Sequence, residues 1–181
     1  MNNRLGQEQW VNAGLKTLLQ SGIESVRIEP LAKALGVTKG SFYWHFADRP
    51  ALLKAILAAW EERATDAVIR QVETASGNAP ERLRELFKLT VAADGRLERA
   101  IRHWASQDEN ASAAQRRVDE RRIGYVTTLF ESLGLPSGTA RSRAELAYLA
   151  LVGHYAMNAG SERNNSLPMS LDSVLALLTR P

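Results

Sequence analysis

The segment from residue 31 to residue 53, LAKALGVTKGSFYWHFADRPALL, constrains the fold of this chain more than any other. Two short segments with a helical spacing of apolar residues meet at Gly36, and an aromatic and basic patch follows before a longer helix begins. Gly36 can supply the left-handed residue of a tight turn, because glycine has no Cβ to clash there. This order predicts a helix-turn-helix whose second helix can enter the major groove of DNA.

The composition indicates a folded protein without covalent cross-links. Hydrophobic residues make up 45% of the 181 residues, which is enough to form a core, and the absence of cysteine excludes disulfides, thiolate metal sites and cysteine nucleophiles. The chain starts without a signal-peptide pattern, and its most apolar run, residues 146–159, is shorter than the about 20 residues that span a bilayer. We therefore expect a soluble, cytoplasmic protein without a membrane partner. The formal net charge of +3 permits an anionic partner without requiring one.

Helical spacing dominates the chain and no alternating strand pattern is evident, so the sequence predicts an all-α fold of roughly nine helices. We expect a three-helix head in residues 1–47 and an antiparallel helical bundle in residues 48–181, because the helices lengthen after residue 48. The predicted helices cover residues 7–20, 29–35, 39–46, 49–73 (capped by Asp48), 80–93, 96–107, 112–133, 137–158 and 169–178.

The third helix has an inward and an outward side. Phe42 and Phe46 lie four residues apart and so share the face that can fill the small core of the head, together with Leu31, Leu35 and Val37. The outward and flanking positions then belong to Lys39, Gly40, Ser41, Tyr43, Trp44 and His45, with Thr38 as the N-cap.

The outward residues have the chemistry of a DNA contact. Gly40 lets the backbone approach DNA closely, and Tyr43 can donate its hydroxyl to a phosphate. Lys39 can contact a phosphate or a guanine edge, and Trp44 offers a flat apolar surface to sugars or a thymine methyl group. The alternative is that Tyr43 and Trp44 are core residues packed against the following helix or the body, as isolated aromatics usually are.

Residues 26–53, with the core GVTKGSFYWHFADRPALL, resemble the DNA-binding head of the TetR (tetracycline-repressor-like) family of bacterial transcriptional regulators. The shared features are the Gly-Val-Thr turn at 36–38, the Lys-Gly-Ser opening at 39–41, the aromatic block at 42–46 and the leucine pair at 52–53. The resemblance covers roughly residues 7–58. It implies a helical ligand-sensing body and a homodimer bound to double-stranded DNA at a palindromic operator.

The resemblance also assigns residues to the DNA contact. The DNA-facing helix carries Thr38, Lys39, Gly40, Ser41, Tyr43, Trp44 and His45. Arg49 falls at the start of the fourth helix, where a basic residue often grips a phosphate. Arg27 stands where the family often has threonine or serine, which puts the capping contact at the second helix in doubt, although the arginine could still reach a phosphate.

The segment 146–159 is apolar on nearly all sides, which indicates burial on more than one face. With the last helix it could form half of a four-helix bundle between two subunits, a placement that the resemblance predicts. The expected interface residues are Ala147, Leu151, Tyr155, Leu171, Val174 and Leu178. The alternative is ordinary core within one subunit.

A small-molecule effector site is harder to place in the sequence. Aromatic residues between helices could line a cavity, and the candidates are Trp60, Phe87, Trp104 and Tyr125. Aromatics at helical spacing are more often plain core. The arginine pairs at 116–117 and 121–122 predict a charged helix face, with contact to an anionic effector as the alternative.

No enzyme motif accompanies these features. The sequence has no HExxH, no phosphate-binding glycine loop and no G-x-S-x-G, and its three histidines lack the spacing of metal ligands. We therefore expect no catalysis, no cofactor and no metal. The leading interpretation is a dimeric transcriptional repressor released from DNA by an effector. Two rivals remain, a DNA-binding regulator without a small-molecule ligand and a helical protein–protein adaptor.

Overall fold

The computed structural model describes residues 6–75, 77–157 and 170–180, and every regular element in these ranges is helical. The helices are α1 (Gln7–Ser21), α2 (Ile28–Leu35), α3 (Lys39–Tyr43), α4 (Arg49–Glu61), α5 (Ala67–Ala75), α6 (Ala79–Ala92), α7 (Arg96–Ala105), α8 (Glu109–Ser132), α9 (Ser137–Met157) and α10 (Leu171–Thr179). A π-helical turn, Glu62–Asp66, joins α4 to α5 without a break. With that continuous run taken as one helix, the described ranges hold nine, which confirms the predicted all-α fold.

Several helix ends lie a few residues from their predicted positions, and three local features differ from the prediction. The third helix ends at Tyr43 and not near residue 46, and the chain turns where Phe46 folds back into the core. The long fourth helix contains a π turn that the sequence spacing does not reveal. Thr38 occupies the N-cap of α3 but its side chain makes no capping hydrogen bond. The predicted ends at residues 158 and 169 lie outside the described residues.

The chain divides into two compact units. The first contains the described residues up to Glu62 together with Ala100–Gln115, and the second contains Arg63–Arg99 together with the described residues from Arg116 onward. The predicted boundary near residue 48 stays a prediction.

In the first unit, α1 packs against α2 and α4, and α2 packs against α3. The buried Trp10 ring meets Phe42 edge-on at a centroid distance of 5.2 Å, and Phe42 stacks on Phe46 at 5.4 Å. Gly14 permits the close approach of α1 to α4, because a Cβ at this position would clash with Ile56 Cδ1. Aromatic burial of this size is the main stabilising term available to so small a domain.

The turns of the first unit follow the sequence closely. Gly36 is left-handed, with φ 68° and ψ 29°, and ends α2 as predicted. The backbone N–H of Val37 donates to the carbonyl of Ala32, which completes the turn into α3. The Asp48 carboxylate accepts a 2.8 Å hydrogen bond from the Ala51 N–H, which confirms it as the cap of α4.

In the second unit, α6 packs against α5, α9 and α10. Its core is apolar and consists of Val72, Leu83, Leu86, Leu129, Phe130, Leu135, Ala140, Ala144 and Leu178. Arg143 Nη1 donates a 2.9 Å hydrogen bond to the Leu178 carbonyl and so ties α9 to α10. None of the helices in the described ranges is long and apolar enough to cross a membrane.

A buried polar cluster lies in the second unit, and the sequence did not predict it. Arg122 donates hydrogen bonds to Glu98 Oε2 (2.9 Å), Thr65 Oγ1 (3.0 Å), the Ala64 carbonyl (3.1 Å) and Tyr148 Oη (3.3 Å). The Tyr148 hydroxyl in turn donates to Asp119 Oδ1 over 2.6 Å. The expectation of a charged solvent face is therefore wrong for Arg122, because its guanidinium turns inward to neutralise Glu98 and to bind the carbonyl of the π turn.

Candidate nucleic-acid interface

Helix α3 and the turn that follows it present one buried side and one exposed side. Phe42 is fully buried and Phe46 nearly so, whereas 53% of Tyr43 and 86% of Trp44 remain exposed. This confirms the predicted rotation of the helix, and it excludes the alternative that Tyr43 and Trp44 are core residues of this protomer. An exposed tryptophan beside an exposed tyrosine forms an unusually apolar surface, of the kind that marks a binding site.

Burial of Phe42 fixes the position of this surface. The Phe42 ring contacts Trp10 of α1, and it also meets the Tyr43 ring edge-on at 5.3 Å. Leu31 of α2 is buried, and α2 packs against α3. Because α3 has only five residues, these side-chain contacts orient it more than its own backbone hydrogen bonds do.

The other residues that were predicted to contact DNA lie on or beside this exposed side of α3. Thr38, Lys39 and Gly40 are exposed, and Ser41 and His45 are half-buried. We call the five exposed residues the reading face; they are Thr38, Lys39, Gly40, Tyr43 and Trp44. The structure thus brings together in one short segment the residues that the sequence pattern selected.

An acidic side chain adjoins the reading face, and sequence analysis missed it. Lys39 Nζ lies 2.8 Å from Oε1 of Glu29, which stands in the first turn of α2. The hydrogen bond with Glu29 raises the pKa of Lys39, and the same contact lowers the pKa of Glu29. Glu29 and Lys39 lie ten residues apart, each in the first turn of its helix, so a search of the first turns of α2 and α3 for opposite charges could have found this pair.

Two predicted arginine contacts have different surroundings. Arg49 donates hydrogen bonds to the carbonyls of Val26 (2.7 Å) and Ile23 (3.0 Å), so its guanidinium fastens the start of α4 to the loop before α2. Arg49 thus makes structural contacts, and a phosphate contact by Arg49 stays a prediction. Arg27 is exposed at the N-cap of α2 and its side chain makes no capping bond, as its departure from the family pattern suggested. A phosphate contact by Arg27 stays a prediction.

The four candidate effector contacts are divided between the two units, with two residues in each. Trp60 and Trp104 belong to the first unit, and both are buried. Phe87 and Tyr125 are half-buried beside the core of the second unit, where the Tyr125 hydroxyl donates a 2.6 Å hydrogen bond to Glu73. Burial and this bond raise the pKa of Tyr125. A role for these residues in effector binding stays a prediction.

Most of the predicted interface residues face the protomer's own interior. Tyr155 and Leu178 are buried, and Ala147 and Val174 pack against the core of the second unit. Leu151 and Leu171 are partly exposed. Large apolar side chains do remain exposed on α9 and α10, but at neighbouring positions: Leu146, Leu149, Met157 and Leu177. Helical spacing alone could not distinguish the inner from the outer side of helices that are apolar all round.

The described residues contain no group of three histidine, aspartate or glutamate side chains that could hold a metal ion.

Comparison with known proteins supports the assignment of the head. Residues 11–56 match the family described as "Bacterial regulatory proteins, tetR family". The chain is 39% identical over 51 residues to the HTH-type transcriptional regulator AcrR of Shigella flexneri, an alignment that covers 28% of this chain and 22% of that protein. It is 36% identical over 53 residues to the class D tetracycline repressor protein of Escherichia coli, which covers 29% of this chain and 24% of that protein.

The fold agrees over a much longer range than the sequence. The crystal structure of the reduced form of E. coli NemR superposes with a TM-score of 0.77 over 95% of both chains, at 20% sequence identity. At that identity the likeness concerns the fold, and the sequence matches span about a quarter of the length of the two curated relatives above. Residues 11–56 therefore match the DNA-binding head of the TetR family of bacterial regulatory proteins, and the fold of the chain is similar to that of NemR.

Proposed function

We propose that this protein is a dimeric, DNA-binding transcriptional regulator whose reading face enters the major groove. The observation that carries the proposal is the division of α3, which buries Phe42 and leaves Tyr43 and Trp44 exposed beside Lys39. A hydroxyl, an ammonium group and a flat indole on one helical surface suit phosphates, base edges and sugars. The site of action would be the cytoplasm, where bacterial DNA lies.

The exposed apolar residues of α9 and α10 support dimerisation through the second unit. On α9, Leu149 and Met157 lie three and eleven residues after Leu146, so the three side chains share one side of the helix. Leu177 is exposed on α10, which is tied to α9 through Arg143. We call these four residues the dimer face. Two copies joined there would form a four-helix arrangement and would supply two heads for a palindromic operator, with half-sites about 34 Å apart.

The sense of regulation that we propose is repression relieved by a small molecule. One matched relative is named a tetracycline repressor, and this chain shares its head over 53 residues. The half-buried Phe87 and Tyr125 are the candidate effector contacts in the second unit. An effector can release DNA only if it binds the DNA-free arrangement more tightly than the DNA-bound one.

Selection from a pool of randomised DNA duplexes tests the DNA-binding function. We expect the wild-type protein to enrich a palindromic sequence and to bind it as two protomers per duplex. The affinity should fall steeply with salt, because phosphate neutralisation releases counterions. No enrichment, or an affinity that salt leaves unchanged, would overturn the function and favour the protein–protein adaptor.

A charged substitution on the dimer face tests the assembly. Leu149→Glu should give a monomer in light scattering and weaken binding to the two-half-site duplex, because a carboxylate would be buried between the subunits. Leu19→Glu is the matched control, since Leu19 is also an exposed leucine but lies on α1. A dimeric Leu149→Glu variant would show that the subunits meet elsewhere.

A compound screen tests the effector. A ligand that raises the melting temperature and also lowers the affinity for the selected duplex supports effector release. If compounds that raise the melting temperature leave DNA affinity unchanged, the regulator without a small-molecule ligand is favoured.

A further inference from the structure

The contact between Lys39 and Glu29 links the two helices of the helix-turn-helix on its exposed side. Lys39 is the first residue of α3 and Glu29 lies in the first turn of α2. The Nζ–Oε1 distance is 2.8 Å, and the side chains remain 51% and 73% exposed. In a helix-turn-helix, the first residues of the second helix are those that contact base edges.

Stability does not explain this pair. Exposed ion pairs contribute little to folding, because water screens them and two long side chains must be held in place. A carboxylate close to the reading face also opposes the approach of DNA phosphates and neutralises one of the few cations on that surface. The position of Glu29 beside the reading face is explained if its carboxylate takes part in the recognition of DNA.

We propose that Lys39 and Glu29 together read a single G·C base pair in the major groove. Guanine O6 accepts a hydrogen bond and cytosine N4 donates one, and these two atoms are themselves partners in base pairing, so they lie about 2.9 Å apart. The Lys39 ammonium is a donor and the Glu29 carboxylate an acceptor, and they lie 2.8 Å apart. The pair therefore complements the two base atoms, with the ammonium facing the acceptor O6 and the carboxylate facing the donor N4. Lys39 has N–H groups left for O6 after the bond to Glu29, and the carboxylate has lone pairs left for N4–H.

The other base-edge atoms in the major groove distinguish G·C from A·T, and the order of donor and acceptor distinguishes G·C from C·G. Across the groove, guanine offers two successive acceptors, N7 and O6, and the cytosine donor follows with no further acceptor beyond it. An A·T pair places a thymine O4 or an adenine N7 next to the adenine donor, so a carboxylate bound to that donor would meet a second acceptor. The inference deepens the proposed DNA-binding function and rests on it.

The test is selection from a randomised duplex pool with three proteins: the wild type, Glu29→Ala and Glu24→Ala. Glu24 is the matched control, because it is an exposed acid in the same unit and its removal changes the net charge equally. We expect the wild type and Glu24→Ala to require a G·C pair at one position of each half-site. Glu29→Ala should reduce the preference for that pair by about 5- to 100-fold, the range for one good paired contact. It should also steepen the salt dependence by about one phosphate contact, since Lys39 is released.

A charge-exchange variant sharpens the test. In the double variant Glu29→Lys and Lys39→Glu, donor and acceptor change places, so the preferred pair at that position should become C·G. Unchanged melting curves for the variants would show that the head remains folded.

The outcomes separate the inference from the function on which it rests. If the wild type selects a palindrome and Glu29→Ala leaves every base preference as it was, the shared reading of one base pair is overturned while the regulator function stands. If the wild type selects no sequence at all, the proposed function is overturned, and the inference with it. A preference lost at one G·C position only in Glu29→Ala supports both.

Discussion

Arg122 Nη1 donates a 2.9 Å hydrogen bond to Glu98 Oε2, and the two side chains are only 16% and 7% exposed. Burial by itself lowers the pKa of the Arg122 guanidinium, but the charge of Glu98 and the contact with Tyr148 more than offset this, so the pKa is raised and the arginine stays charged. The same guanidinium binds the Ala64 carbonyl in the π turn. Arg122 therefore both neutralises a buried acid and supports an irregular helical turn.

Removal of Arg122 should destabilise the protein strongly, because the buried Glu98 would lose its ion pair with Arg122. We expect Arg122→Met to lower the free energy of unfolding in urea by about 3–5 kcal/mol. Addition of Glu98→Gln should restore part of this loss. Arg121→Met is the control, since the neighbouring Arg121 is exposed and its ion pair with the half-buried Asp66 should contribute only about 1 kcal/mol. Equal losses in the two single variants would refute the special role of the buried pair.

Phe42 should be essential to the stability of the head. It is fully buried against Trp10 and Phe46, so Phe42→Ala should lower the free energy of unfolding by about 3–5 kcal/mol in a denaturant titration. Trp44→Ala removes a larger ring that is 86% exposed and should change stability by about 0.5 kcal/mol or less. The reverse order of the two effects would mean that the rotation of α3 is wrong.

Gly95 should not tolerate a side chain. It has φ 47°, and a Cβ there would lie 2.7 Å from Tyr155 Cγ and 2.9 Å from Tyr155 Cβ. We expect Gly95→Ala to cost about 2–4 kcal/mol, from the left-handed backbone and the overlap together. Gly124→Ala, in the middle of α8 with open space around it, should instead stabilise by up to about 1 kcal/mol. Thermal melting of the two variants measures this difference in stability. Similar melting temperatures would contradict the geometry at Gly95.

Tyr155 should make stability depend on pH in the alkaline range. Burial, and then the charge of Glu98, raises the pKa of Tyr155 from 10.0 to about 12, and its hydroxyl donates a 2.5 Å hydrogen bond to the Thr90 carbonyl. Between these pH values the unfolded chain gives up the phenol proton first, so the free energy of unfolding falls as the pH rises. The contribution is complete below about pH 10 and is lost by about pH 12, with a total on the order of 2 kcal/mol.

The measurement for Tyr155 is urea unfolding of the wild type and Tyr155→Phe at several values from pH 8 to pH 11.5. The stability advantage of the wild type over Tyr155→Phe should shrink as the pH rises above 10. Tyr43→Phe serves as the control, because Tyr43 is half exposed. An advantage that stays constant to pH 11.5 would argue against the raised pKa.

Local chemistry made much of the head predictable from the sequence. The left-handed Gly36, the Asp48 cap and the opposite sides of Phe42 and Tyr43 each follow from the properties of one or two residues. Such features depend on backbone sterics and on helical spacing, which are readable without knowledge of distant parts of the chain.

The features that the sequence did not predict depend on residues far apart in the chain. Arg122 turns inward because Glu98 and Ala64 face it, and Arg49 turns inward because the Ile23 and Val26 carbonyls lie beside it. On α9 the apolar residues surround the helix, so periodicity could not separate the buried Tyr155 from the exposed Leu149. Whether these side chains face the interior or the solvent depends on tertiary packing.

The most direct measurement compares binding of wild-type protein, Lys39→Ala and Tyr43→Ala to the duplex that the wild type selects, at one fixed salt concentration, by fluorescence anisotropy. We expect each substitution to weaken binding by about 1–3 kcal/mol while the melting curve is retained. Lys16→Ala, which removes an exposed lysine on α1, should bind as the wild type does. Wild-type affinity in both reading-face variants would contradict the claim that this surface of α3 contacts DNA.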